Sequence, residues 1–218
     1  MGASPGALLR VSEIFHSIQG ESTRVGLPTV FVRLTGCPLR CVWCDTAYAF
    51  VGGEPMGIAA VLERVAAFDC ATVCVTGGEP LAQKPCPDLL KALCDAGYSV
   101  SLETSGALDI GDVDTRVSRI VDLKAPGSGE EAKNRWGNLA LLTPNDELKL
   151  VLASEDDYRW ACEALRAKDL AARCPVLFAP VQGKLEPRQL AEWILRDRLP
   201  VRFQLQLHKI LWGDTRAR

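Results

Sequence analysis

The chain has only two histidines, His16 and His208, among its 218 residues. They lie far apart in sequence, and neither is paired with another histidine. A histidine-built metal centre is therefore excluded. Nor does the chain contain an uninterrupted apolar stretch approaching the roughly 18 residues of a membrane span. The first fifteen residues, "MGASPGALLRVSEIF", have one Arg and no apolar run suited to a secretory signal. "MGASPG" superficially matches a myristoylation start, but its sixth residue is Gly rather than Ser or Thr. The formal net charge of -2 and pI near 5.8 provide no basic field for nucleic acid. No internal repeat and no composition break divides the chain, so residues 1–218 read as one domain in the cytoplasm, with neither nucleic acid nor membrane as partner.

Nine cysteines are present. An odd count without a secretory signal argues against a disulfide framework and for metal or redox chemistry. Cys70, Cys74, Cys86, Cys94, Cys162 and Cys174 are scattered and read as buried or structural thiols. Cys37, Cys41 and Cys44 are different, since "TGCPLRCVWCD" (35–45) gathers them into eight residues. Structural zinc would call for a second ligand pair at short spacing, and none follows. Three thiolates suit a [4Fe–4S] cube that keeps one iron free for a small molecule.

Apolar runs of strand character alternate with amphipathic helical stretches. Strands are expected at 28–36, 71–78, 99–106, 118–126, 147–153, 174–183 and 201–211. Helices are expected at 57–69, 87–98, 154–170 and 186–197. The stretch 125–138, "APGSGEEAKNRWGN", has no period and reads as a long surface loop. This alternation is that of an α/β fold with a parallel sheet. Six to seven strands with four helices fall short of eight βα units, so a shortened, partial (β/α) barrel with about six parallel strands is expected. The cysteine run, "TGGEP" (76–80), "ETSG" (103–106) and "DLK" (122–124) all fall at strand ends, where active sites of parallel folds gather.

Cys-x3-Cys-x-aromatic-Cys after the first of these strands, with "TGGEP" after the second, resembles the radical S-adenosylmethionine (SAM) superfamily. The resemblance implies a [4Fe–4S] cluster on Cys37, Cys41 and Cys44, with SAM on its open iron. It implies SAM contacts from Trp43, Cys44 and Asp45, from Gly77, Gly78 and Glu79, and from Asp122, Leu123 and Lys124. Glu79 is expected to shape the glycine turn. Over nearly its whole length the chain is further similar to the 7-carboxy-7-deazaguanine synthase family. "FHSIQGES" (15–22), "FVRLTGC" (31–37), "CDT" (44–46) and "LQLHK" (205–209) carry that similarity.

The narrower resemblance implies a lyase acting in queuosine and deazapurine biosynthesis, converting 6-carboxy-5,6,7,8-tetrahydropterin to 7-carboxy-7-deazaguanine. It implies Mg2+ on Thr46, a homodimer, and a one-electron donor such as flavodoxin or ferredoxin. No side chain is expected to be catalytic beyond the radical derived from SAM. Glu103 is the expected acceptor for the pterin's amino-pyrimidinone edge, and Arg33 the fork for its carboxylate. Ile18, Gln19, Gly20, Glu21, Thr76 and His208 complete the expected substrate contacts. The sequence departs from the family pattern at Ser22 and Ser105 and in the terminal run "WGDTRAR". Rival readings are another radical SAM enzyme, such as a glycyl-radical activase, and a non-enzymatic iron–sulfur or zinc module.

Overall fold

The computed structural model describes residues 8–213 and 215–217. The myristoylation-like start, Met1 to Gly6, lies outside them, as do Asp214 and Arg218 of the terminal run. In chain order the elements are β1 (Leu8–Ile18), β2 (Pro28–Leu34), β3 (Glu54–Gly57), α1 (Ile58–Ala66), β4 (Thr72–Gly77), α2 (Cys86–Asp95) and β5 (Ser99–Thr104). There follow β6 (Ser118–Leu123), β7 (Glu147–Leu152), α3 (Glu155–Ala167), β8 (Val176–Pro180), α4 (Pro187–Arg196), β9 (Arg202–Phe203) and α5 (Leu207–Trp212).

The strands form one sheet in the order β3-β1-β2-β4-β5-β6-β7-β8-β9. From β2 through β9 every pairing is parallel, while β1 runs antiparallel to both β2 and β3. Among the described residues β3 and β9 are the free edges, so the barrel is partial. Six of the parallel strands are five residues or longer, and β9 has only two.

Helices cover the outer face. Val61 and Val65 of α1 and Leu89, Leu90 and Leu93 of α2 pack on Val30, Val32, Val73, Val75 and Leu102. Tyr158, Ala161 and Leu165 of α3, with Leu190 and Ile194 of α4, do the same over Leu148, Leu150, Leu152 and Phe178. Each such Val or Leu removed from water contributes roughly 1.5–3 kcal/mol. Helix α3 starts where Ser154 Oγ accepts from Asp157 N at 3.2 Å, ahead of an acidic first turn. A smaller cluster of Phe15, Phe31 and Cys74 fills the inner face.

Two expectations change, and β1 and β3 are strands beyond those expected. The stretch 201–211 is a two-residue strand followed by α5, because "LHKIL" satisfies helical spacing as readily as alternation. The N-terminal run 8–18 is an eleven-residue strand whose alternation is interrupted by a register shift between Val11 and Glu13. The edge strand β3 carries Pro55, which an edge tolerates. Segment 125–138 lacks α-helix and strand as expected, but it is not simply a surface loop. It is a string of 3-10 turns in which Asn138 is buried and donates to Gly106 O and Leu108 O.

Candidate active site

Alternate residues of a strand face the same side, and the register of this sheet gathers the inward-facing polar ones. Antiparallel pairing sets Glu13 beside Arg33, and parallel pairing sets Arg33 beside Thr76 and Asp122 beside Lys149. Arg33, Thr76, Asp122 and Lys149, together with the cysteine run and the segment after β9, line a cavity of about 250 Å³ at the carboxyl ends of the strands.

The wall nearest the cysteines is built from close backbone contacts. Glu79 N donates to Gly36 O at 2.8 Å, and Gly78 N to Leu34 O at 3.1 Å. A Cβ on Gly78 would stand 2.4 Å from Gly36 O and 2.8 Å from Cys37 Cβ, so only glycine lets the two loops meet. Cys37, Cys41 and Cys44 are free thiols on this wall, and Leu39 N donates to Cys37 Sγ at 3.4 Å. Burial pushes the Cys37 and Cys41 thiols up, while Lys124 pulls the other way. Among the described residues no three His, Cys, Asp or Glu side chains converge as for a single ion. Three thiols spread over one wall rather than converged on one point fit a cluster better than a lone zinc.

Trp43, Asp45, Gly77, Gly78, Asp122 and Lys124 join the cysteines around the cavity. Lys209 Nζ lies 2.8 Å from Asp45 Oδ2, and Thr46 Oγ1 donates to Asp45 Oδ1 at 3.0 Å. Burial works against ionisation of Asp45, but the Lys209 pair and the Thr46 bond outweigh it and hold the carboxyl at about 2. Asn134 brackets Lys124, taking its N–H at 2.8 Å and bonding its carbonyl at 2.9 Å. Lys124 is left to act through its side chain, 3.1 Å from Asp122. Two expected cofactor contacts do not line the cavity. Leu123 points into the outer core under α3. The carboxylate of Glu79, fully buried, accepts from Leu81 N, Thr104 Oγ1 and both N and Oγ of Ser105.

The opposite half is a polar network. Glu103 accepts from Thr76 Oγ1 at 3.0 Å and from Gln19 Nε2 at 3.3 Å. Arg33 Nε bonds Glu13 at 2.6 Å, and Tyr48 donates to the same carboxylate at 2.8 Å. Among the described residues no acceptor bonds the terminal nitrogens of Arg33. Although burial disfavours the cation, Glu13 and the facing phenol and carboxylates raise the Arg33 pKa, so the charge is kept. Phe15 and Phe31 stack beneath it at 5.1 Å. Ile18, Gly20, Glu21 and His208 complete the expected set around the cavity.

Sequence reasoning missed Glu13, Tyr48, Lys149, Gln206 and Lys209. Lys149 had a signal: a charged residue inside the apolar strand "ELKLVL" needs a partner. The others sit on elements whose placement depends on long-range pairing.

Residues 31–177 match the Radical SAM superfamily. The 7-carboxy-7-deazaguanine synthase of Chlorobaculum tepidum is 52% identical over 218 residues, spanning 98% of this chain and 99% of its own length. That of Koribacter versatilis is 40% identical over 221 residues, spanning 94% and 97%. The crystal structure of QueE from Escherichia coli shares the fold with a TM-score of 0.76, over 92% of this chain and 95% of that one, at 22% identity.

Proposed function

Because this chain belongs to the 7-carboxy-7-deazaguanine synthase family of the Radical SAM superfamily, we propose that it converts 6-carboxy-5,6,7,8-tetrahydropterin to 7-carboxy-7-deazaguanine. The observation that carries this reading is the shared cavity, in which a three-thiol wall faces Arg33, Thr76 and Glu103. In that reaction the six-membered ring contracts to a pyrrole and ammonia leaves, a step in queuosine and related deazapurine biosynthesis.

When bound, the [4Fe–4S] cluster and SAM supply one-electron chemistry that generates an organic radical able to take hydrogen from carbon. Cys37, Cys41 and Cys44 would hold the cluster, and Trp43, Asp45, Gly77, Gly78, Asp122 and Lys124 would receive SAM. Thr46, facing the cavity beside Asp45, would give Mg2+ its one protein oxygen, in keeping with an ion that retains waters. The other residues bind and orient. Glu103, fixed by Thr76 and Gln19, presents its carboxylate to adjacent N–H donors of the pterin. Arg33 receives the substrate carboxylate on its terminal nitrogens while Glu13 fixes Nε and so the plane of the fork. His208 and Gly20 close the side of the cavity, and Phe15, Phe31 and Ile120 keep water from the reacting carbon.

The whole chain is read as one domain working as a homodimer in the cytoplasm, with a flavodoxin or ferredoxin as reductant. No helix among the described residues is long and apolar enough to cross a membrane. The test is anaerobic reconstitution with iron and sulfide, followed by incubation with SAM, Mg2+, dithionite and the carboxytetrahydropterin. The expected result is 7-carboxy-7-deazaguanine, identified by mass, together with released ammonia. SAM cleavage without that product would point to a different radical SAM reaction.

A further inference from the structure

Lys149 stands on β7 with its side chain largely buried along the cavity wall, and the proposed chemistry gives it no task. Its Nζ lies 2.5 Å from Glu21 Oε2 and 3.5 Å from Asp122 Oδ2. The other oxygen of Glu21 accepts from Gln206 Nε2 at 2.7 Å, and the Glu21 N–H donates to Gln19 Oε1 at 3.1 Å. Gln19 in turn holds Glu103, and Asp122 holds Lys124. One connected chain of contacts thus runs from Glu103 through Gln19, Glu21, Lys149 and Asp122 to Lys124. It crosses from the substrate half of the cavity to the half beside the cysteines. Lys149 is its central cation and the joint between the two halves.

Resting on the reaction proposed above, we propose that Lys149 is a positioning residue for the substrate, acting through Glu21. It holds that carboxylate charged and in one orientation on the cavity wall. Glu21 sits on the turn after β1, a segment with no strand partner of its own to align it. The anchors of its side chain are Lys149 from β7 and Gln206 from the segment before α5. Gln206 supplies one neutral hydrogen bond, whereas Lys149 supplies a full charge. The charged and titratable groups facing Glu21 are Lys149 from β7 and His208 from α5, and Asp122 of β6 and Glu103 of β5 also act on the ammonium.

These surroundings set the direction of each effect. Burial alone favours the neutral carboxylic acid, yet the Lys149 ammonium and the Gln206 bond bring Glu21 below the ordinary carboxylate range. Lys149, although buried, is held well above its ordinary value by Glu21, Asp122 and Glu103, so it stays protonated and is no proton donor at neutral pH. Its contribution is therefore geometric and electrostatic. With an uncharged side chain at 149, Glu21 is left buried without its cation, and its pKa rises through burial.

The test compares Lys149→Met, Lys149→Arg, Glu21→Gln and the Glu21→Gln/Lys149→Met double variant, each reconstituted with its cluster and assayed with the carboxytetrahydropterin. Wild type should show a KM that is flat from about pH 6 to 8, since Glu21 remains ionised there. K149M should raise KM by about 10-fold or more, the effect of losing a charged hydrogen bond. That rise should steepen as pH falls, because Glu21 then takes up a proton. K149R keeps the charge and should keep the flat profile, even if its KM shifts. E21Q should raise KM without pH dependence. The double variant should cost little more than either single change, because both interrupt one contact. It also leaves no lone buried carboxylate, so it reports even if K149M fails to keep its iron.

A K149M enzyme with a wild-type KM and flat profile would overturn the proposal, as would a pH-dependent KM in K149R or additive effects in the double variant. Failure of the wild-type chain to turn over the pterin is a separate outcome. It would overturn the reaction itself, and this role for Lys149 with it.

Discussion

Glu79 shows how the side chain of a motif residue can work away from the cavity. "TGGEP" reads as a turn built for close approach, and the two glycines provide that approach. The glutamate does something different: fully buried, it takes hydrogen bonds from Leu81, Thr104 and Ser105 and so ties the end of β4 to the end of β5. Ser105, where the family pattern favours Asn, donates to Glu79 through both its backbone and its hydroxyl. Replacing Glu79 with Gln puts an amide NH2 where donors converge. The expected cost is about 2 kcal/mol, or a thermal midpoint lower by about 4–8 °C. Thermal melting of the cluster-free chain would measure it, and an unchanged midpoint would refute the anchoring role.

Among the elements, α5 departs furthest from expectation. As a terminal strand, 201–211 would have extended the sheet edge; as a helix it crosses the cavity mouth instead. Three contacts hold it there: Leu207 N to Gly20 O at 3.0 Å, Gln206 to Glu21, and Lys209 to Asp45. A Cβ on Gly20 would lie 2.2 Å from His208 Nδ1 and 2.9 Å from its backbone nitrogen. Gly20→Ala should therefore lift α5 from the N-terminal turn. Limited proteolysis should then cut within residues 205–213, and KM for the pterin should rise by about 10-fold. The thermal midpoint should stay within about 2 °C of wild type, because the helix buries no large side chain of the core. Wild-type resistance to protease in this variant would mean that the Gly20 contact does not seat α5.

At the scale of the whole molecule, carboxylates buried against cations make stability depend on pH. Burial raises the pKa of each, but Lys149 outweighs it for Glu21, Lys209 for Asp45, and the Arg119 fork for Asp146, which all end lowered. A depressed folded-state value contributes stability above the unfolded-state value, here 3.8 to 4.5. That contribution is lost as pH falls through the folded values, toward about 2 for Asp45. The thermal midpoint of the cluster-free chain should hold from neutrality down to about pH 4.5 and then decline. Asp146→Asn should melt lower at neutral pH and decline less steeply in acid. A midpoint flat to pH 2 would show that these pairs contribute nothing to the fold.

The sequence by itself determined the repeating local units, because periodicity, caps and turn residues act within a few residues of one another. The helices over 57–69, 87–98, 154–170 and 186–197 were legible for that reason, as were the parallel strands from 28 to 180. The cysteine spacing and the glycine turn were legible too, because each is contained in a single loop. Only the tertiary structure decided which inward-facing residues become neighbours. Glu13 beside Arg33, and Lys149 between Glu21 and Asp122, are consequences of strand order and register. A two-residue period shows which side chains share a face but not which strand lies alongside. The place of α5 was likewise undecidable locally, since "LHKIL" fits either period, and contacts to Gly20, Glu21 and Asp45, some 160 to 190 residues away in sequence, settle it.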